Sequence, residues 1–235
     1  GWNVPLVIRT ACGGGYGDAG QHEQCLWGWL AHIPGINAVV PSNPADAGGL
    51  MLSSLECEDP VIFFEHKLLS ELWLGYMGIG GRRSVEFDVP AEGASGKVPK
   101  KWEPIPLGKA SVKRKGKDIC LVSLGVGVHR CLEAASLLEK KGIDAGVIDL
   151  RSVSPLDKET ILEEVAVSGR MLVVDEDYKH YGLSGELAAV ALEEGLFLKY
   201  ERVCTDQTIP YSKKMEDEVL PGTAGILVAA EKILT

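Results

Sequence analysis

A histidine that opens a helix directly behind a glycine-rich loop is the best-placed chemical group in this chain. Residues 12–22 read Cys-Gly-Gly-Gly-Tyr-Gly-Asp-Ala-Gly-Gln-His. Glycines let a backbone approach a ligand closely or take up positive φ. An imidazole at His22 can hold a substrate anion or move a proton near neutral pH. The same residues also suit a tight turn followed by a helix-capping histidine, and spacing alone leaves both readings open. Two further loops follow apolar runs. Ser123-Leu124-Gly125-Val126-Gly127 leads straight into a helical pattern, so its amides could cradle an anion or could simply let strand and helix pack closely. The run Asp175-Glu176-Asp177-Tyr178-Lys179-His180-Tyr181-Gly182 gathers acids, a histidine and aromatics at a strand end, as either a functional surface or a solvated one.

Other chemistries find less support. No acidic residue follows a second strand at the distance a dinucleotide site needs, no Lys-Ser/Thr follows the glycines, and there is no Gly-x-Ser-x-Gly. The six cysteines, at 12, 25, 57, 120, 131 and 204, form no Cys-x-x-Cys, which is the usage of a reducing compartment. Only His22 and Cys25 stand at helical spacing, so the metal complement is unknown from the residues. Across 235 residues, hydrophobic side chains make up 46% and charged ones 24%, the balance of a folded chain. A net charge of −9 argues against a nucleic-acid partner. No apolar run reaches the ~18 residues of a membrane span, and the start carries no signal-peptide pattern, so no membrane association is expected.

The elements that must position these groups alternate between β-rich apolar runs and amphipathic segments. Strands are expected at 5–9, 36–40, 60–65, 119–124, 145–150, 171–175 and 199–204. Helices are expected at 22–32, after Ser42-Asn43-Pro44, and at 128–140, 155–167, 185–195 and 223–234. The helix after Pro44 starts on a capping side chain with Pro in its first turn and turns Leu50, Met51 and Leu55 inward. The rhythm fails between 68 and 107, which reads as a connection between two domains. Strand–helix–strand repeats of this spacing imply right-handed crossovers and largely parallel sheets covered on both faces.

The order of the motifs carries a resemblance. WNVPLVIR, the glycine loop, GQHEQ, HIPGINAVVPSNPADAGGL and EDPVIFFEHKLL, followed by PLGKASV, LVSLGVGVHRCLEAA, VIDLRSVSPLDKETI, GRMLVVDED, GLSGELAA and RVCTDQTIPYSKKMEDEVLP, resemble the β subunit of the thiamine-diphosphate-dependent E1 component of 2-oxo acid dehydrogenase complexes. The resemblance implies an α/β fold in three parts. Residues 1–69 would be the C-terminal half of a pyrimidine-binding-type parallel-sheet domain. Residues 70–106 would be a linker or irregular insertion, of which 70–103 has no family counterpart. Residues 107–235 would be a complete transketolase C-terminal-like domain.

It further implies an α2β2 heterotetramer, with partners in an E1 α subunit and a second β subunit. Thiamine diphosphate and Mg²⁺ would be shared with or held by the α subunit, and a structural monovalent cation could sit on carbonyls between Leu55 and Asp59. The implied reaction is oxidative decarboxylation of a 2-oxo acid with acyl transfer to the lipoyl domain of E2; family members handle pyruvate, a branched-chain 2-oxo acid or acetoin, and the residues do not choose among them. His22 falls on the family's active-site histidine, and Gly14, Gly15 and Gln21 form the loop near substrate and cofactor. The family pattern begins further upstream, with the cofactor-activating glutamate, so a bare sheet edge and dependence on that part are expected.

An alternative is a non-catalytic assembly module, in which Glu216, Asp217 and Glu218 meet the basic subunit-binding domain of E2. The same three acids also suit a solvated helix face. A third reading is a coenzyme-A- or nucleotide-binding domain using residues 123–127. The expected location is the cytoplasm, or the mitochondrial matrix in a eukaryote.

Overall fold

The alternating pattern resolves into two sheets. In the computed structural model residues 2–70, 72–75 and 87–235 are described; positions 71 and 76–86 of the irregular segment lie outside the described residues. The first sheet contains β1 (Val7–Cys12), β2 (Asn37–Val39), β3 (Val61–His66) and β7 (Ser152–Ser154), in the order β1-β3-β2-β7. The first three are parallel, whereas β7 runs antiparallel to β2. The second sheet has the order β4-β6-β5-β8-β9, from β4 (Ser111–Arg114), β5 (Ile119–Ser123), β6 (Ala145–Asp149), β8 (Arg170–Tyr178) and β9 (Lys199–Thr205). All its neighbours are parallel except the edge pair β4–β6. The helices are α1 (Gly20–Glu23), α2 (Trp27–Ala31), α3 (Pro44–Glu56), α4 (Val126–Glu139), α5 (Lys158–Ser168), α6 (Leu183–Glu193), α7 (Lys213–Glu216) and α8 (Thr223–Leu234), with a 3₁₀ turn at Lys67–Leu69. Among the described residues no helix is long and apolar enough to cross a membrane.

The period of two along the central strands sends side chains to both faces. Ile119, Leu121, Val147, Leu172 and Val174 meet α4 and α8 in one core. Cys120, Val122, Ile148, Met171 and Val173 meet Ile161 and Val165 of α5 and Leu187 of α6 on the other face. That second core continues into the first sheet through Ala38, Val40, Ile62, Phe64 and Trp27, so the two sheets share it. Trp27 meets Phe64 edge-on, with ring centroids 6.0 Å apart. β1 stands at the outer edge of its sheet, with Ile8 44% exposed.

Two sequence expectations are corrected. The helix expected over 22–32 is two short ones, because Gln24 is extended (φ −60°, ψ 141°) and Cys25 and Trp27 turn into the core. α3 starts as expected, with the Asn43 side chain accepting from the Asp46 N–H and Pro44 in the first turn. It buries Leu50, but Leu55 is 65% exposed: five residues at 3.6 per turn place it roughly 140° round the helix from Leu50. The described end of the irregular segment packs on α3. Trp102 lies flat against Gly48, where a Cβ would come within 2.1 Å of the ring, and the Ile105 N–H donates to the Gly49 carbonyl at 3.0 Å.

Candidate functional site

The glycine loop leaves the end of β1 and is packed from within the chain. Gly13 has φ 89° and lies so close to the His66 ring that a Cβ would come within 2.0 Å of Nε2. A Cβ on Gly14 would come within 2.3 Å of Leu220, from the far end of the chain. These glycines therefore admit side chains of the protein itself. Gly14 and Gly15 also border a small cavity of about 90 Å³, beside Val126, Arg130 and Lys213.

Amides of this loop are held by two carboxyl groups. Glu216 of α7, 0% exposed, accepts the Gly15 N–H at 2.6 Å and the Gly17 N–H at 3.0 Å. Glu23, 1% exposed, accepts the Asp18 N–H at 2.8 Å. The segment between them enters α1 through Ala19 at φ 64°, a left-handed conformation that costs about 1–3 kcal/mol in a non-glycine residue and persists only under surrounding constraint. The His22 carbonyl accepts from the Tyr16 hydroxyl at 3.1 Å and from Lys67 Nζ. Lys67 itself is buried, sits 4.8 Å from the Tyr16 ring centre and has its ammonium pKa lowered by that burial. Backbone on every side of His22 is thus fixed, while the side chains of Gln21 and His22 are exposed.

Behind the loop lies a second buried group. The His66 Nδ1 accepts the Leu68 N–H at 3.2 Å, which assigns the ring proton to Nε2. Nε2 then donates to Glu176 Oε2 at 2.7 Å, and the Cys25 thiol donates to the same oxygen at 3.4 Å. Among the described residues, Cys25, His66 and Glu176 are the group whose ligand atoms, all within 4.8 Å of one another, could hold a metal. Nε2 keeps its proton because Nδ1 is already an acceptor, so the group works as a hydrogen-bonded bridge between β3 and β8. A thiol and an imidazole also do not suit Mg²⁺, which takes oxygen ligands.

The acids at 175–177 complete this seam. Asp175 accepts from Trp27 Nε1 at 3.0 Å and Asp177 accepts the Gly28 N–H at 2.9 Å. Burial pushes the Asp175 carboxyl up to about 8 and that of Asp177 to about 6.

The residues singled out in the sequence therefore separate. Gly14, Gly15, Gln21 and His22 share one loop and helix. Glu216 is not an acidic surface residue, because its carboxylate faces inward onto that loop; Asp217 and Glu218 remain exposed, Asp217 ion-paired with Lys213. Ser123 and Gly127 pack tightly, a Cβ at Gly127 falling 2.2 Å from the Ser123 hydroxyl, so that stretch joins strand to helix closely. Sequence reasoning missed Glu23, His66 and Lys67, and placed Glu176 in a charged loop and not in a buried bridge. The available signals were an acid adjoining His22, and three successive acids at the end of an otherwise apolar strand.

Comparison with known proteins agrees with this architecture. Residues 108–226 match the family described as transketolase, C-terminal domain, and residues 1–71 match transketolase, pyrimidine binding domain. The chain belongs to the transketolase family. Similar members include the acetoin:2,6-dichlorophenolindophenol oxidoreductase subunit beta of Cupriavidus necator, 38% identical over 98% of this chain and 63% of that protein. The pyruvate dehydrogenase E1 component subunit beta of Bacillus subtilis is 38% identical over 99% of this chain and 66% of its own length. The 2-oxoisovalerate dehydrogenase subunit beta of the same bacterium is 41% identical over 83% and 54%. The chain thus spans between half and two thirds of these curated relatives. Among solved structures, a split-gene transketolase described as an inactive β4 tetramer shares the family fold, with a TM-score of 0.76 at 22% identity, covering 99% of this chain and 68% of that one.

Proposed function

We propose that these residues form part of the β subunit of a thiamine-diphosphate-dependent 2-oxo acid dehydrogenase E1, with residues 1–69 as half of a pyrimidine-binding domain and 107–235 as the C-terminal domain. The observation that carries this reading is the posture of His22: its carbonyl is clamped by Tyr16 and Lys67 while its side chain is exposed. A fixed backbone bearing an outward imidazole suits a group that must meet a reacting molecule held on another chain.

Thiamine diphosphate, when bound, supplies the carbon nucleophile that takes up the 2-oxo acid and allows CO₂ to leave. His22 orients the substrate by hydrogen bonding and moves a proton during acyl transfer to the lipoyl group of E2. The family resemblance implies that the metal and diphosphate belong to an α subunit, and the Cys25–His66–Glu176 group, with its thiol and imidazole, does not suit Mg²⁺. A monovalent cation near residues 55–59 would share the Glu58 carbonyl, which already accepts the Val4 N–H at 2.9 Å. One helix on from His22, a groove of about 850 Å³ exposes Trp29 and Tyr181, an aromatic surface suited to cover by a second subunit.

The test uses an E1 heterotetramer whose β subunit carries these residues. His22→Ala should lower acyl transfer to lipoyl domains by roughly 10²–10⁴-fold with an unchanged unfolding midpoint. Unchanged transfer would remove His22 from the mechanism.

A further inference from the structure

The two carboxyl groups around the glycine loop are in contact with each other inside the protein. Glu216 is 0% and Glu23 1% exposed, and their carboxyl groups lie close enough for one hydrogen bond once either of them is protonated. Two ionised carboxylates cannot share a dry site, because each raises the energy of the other's charge. The amides decide where a proton goes. Both Glu216 oxygens accept N–H groups, from Gly15 and Gly17, so Glu216 is the ionised partner. The Glu23 carboxyl accepts the Asp18 N–H on Oε1 and is also served by the Tyr16 N–H, whereas no N–H reaches its fully buried Oε2. It is the one oxygen of the four left to carry a hydrogen.

We infer that Glu23 and Glu216 share one proton, Glu23 Oε2–H donating to Glu216, and that this pair acts as a positioning device holding the glycine loop and the start of α1. The device spans the chain: Glu23 adjoins His22, and Glu216 comes from α7 some 200 residues later. Its effect on catalysis rests on the role proposed for His22; the shared proton itself does not.

The surrounding charges are already engaged. Lys213 Nζ lies 4.0 Å from Glu216 Oε2 but pairs with Asp217. Lys67, from the 3₁₀ turn after β3, donates to the carbonyls of His22 and Gly13. Tyr16 and Asp18 in the loop, Cys12 at the end of β1 and Cys25 between the short helices are the other titratable groups facing Lys67 and Glu23. Burial, with Glu216 adding to it, raises the Glu23 carboxyl from an ordinary 4.5 to about 8. The native chain therefore keeps between pH 4.5 and 8 a proton that the unfolded chain has released. This contribution to stability is complete below 4.5 and is lost as pH rises towards 8.

The experiment follows amide hydrogen exchange at Gly15, Gly17 and Asp18, corrected for intrinsic pH dependence, together with urea unfolding of the 235-residue chain from pH 5 to 9. In the parent chain, protection at these amides should fall at least tenfold as pH rises through 8. Glu23→Gln, whose amide replaces the acid O–H, should retain the protection and abolish its pH dependence. Glu216→Gln keeps one acceptor oxygen and turns an N–H group towards the other amide, so protection should be lost at Gly15 or Gly17 at every pH; should Glu216→Gln fail to fold, Glu23→Gln decides alone. A pH profile unchanged by Glu23→Gln, or one absent from the parent, would overturn the shared proton. In the assembled enzyme, Glu23→Gln should shift the alkaline limb of kcat upward with KM unaltered, and an unmoved limb would overturn the positioning role. If the amides respond as described while His22→Ala leaves transfer intact, the catalytic reading fails and the pair stands.

Discussion

The second sheet and the seam between the two sheets are equally dry, yet they are built from opposite materials. On the sheet, Ile119, Leu121, Leu172 and Val174 pack in a cluster of aliphatic side chains with the Cys131 thiol. In the seam, Asp175, Glu176, Asp177, Glu216 and Glu23 are buried, and each accepts hydrogen bonds: Glu216 and Glu23 from the loop, Asp175 and Asp177 from α2, and Glu176 from His66 and Cys25. The aliphatic core is non-directional and supplies stability in proportion to area. The seam is directional, and an unmatched group there costs far more than a matched one contributes. One region keeps the chain folded, and the other fixes where the His22 loop stands.

The contrast can be broken hardest in the core. Leu121→Ala, at a 0% exposed position, should lower unfolding free energy by about 2–5 kcal/mol in urea titrations. Glu176→Ala strands the His66 Nε2–H and the Cys25 thiol, and should cost about 1–3 kcal/mol, most of it restored by Glu176→Gln; equal losses in both variants would mean the bridge depends on charge alone.

Asp175 sharpens the comparison through pH. Its native carboxyl sits near 8 against an ordinary 3.8, because of burial and the neighbouring Asp177, so its contribution falls as pH rises between those values and is level above them. Asp175→Asn should flatten the corresponding slope between pH 5 and 8, and an unaltered slope would mean the carboxyl is ionised. Least affected should be Leu55→Ser, within about 0.5 kcal/mol, since that side chain already faces water.

Much of the fold was legible because its causes are local. The apolar runs at 119–124 and 145–150 became β5 and β6, and Asn43-Pro44 started α3 where capping required. Leu55 was misread because hydrophobicity alone does not state which side of a helix faces inward. β7 was missed because Ser152-Val153-Ser154 has no strand-like run of its own; it is a strand only because β2 offers it an edge. For the site, the glycines and His22 announced themselves by type and spacing, while the acids at 175–177 and Glu216 read as surface groups, functional or solvated, and neither reading buries them.

The sequence by itself determined the alternation of strands and helices and the presence of a histidine beside a glycine loop, since periodicity and turn chemistry act over a few neighbouring residues. Only the tertiary structure decided what holds that loop. Its glycines are filled by His66 and Leu220, its amides are taken by Glu216, and its flank is braced by Lys67. Those contacts join positions tens to some two hundred residues apart, and a hydrogen bond depends on distance in space, which linear order does not record.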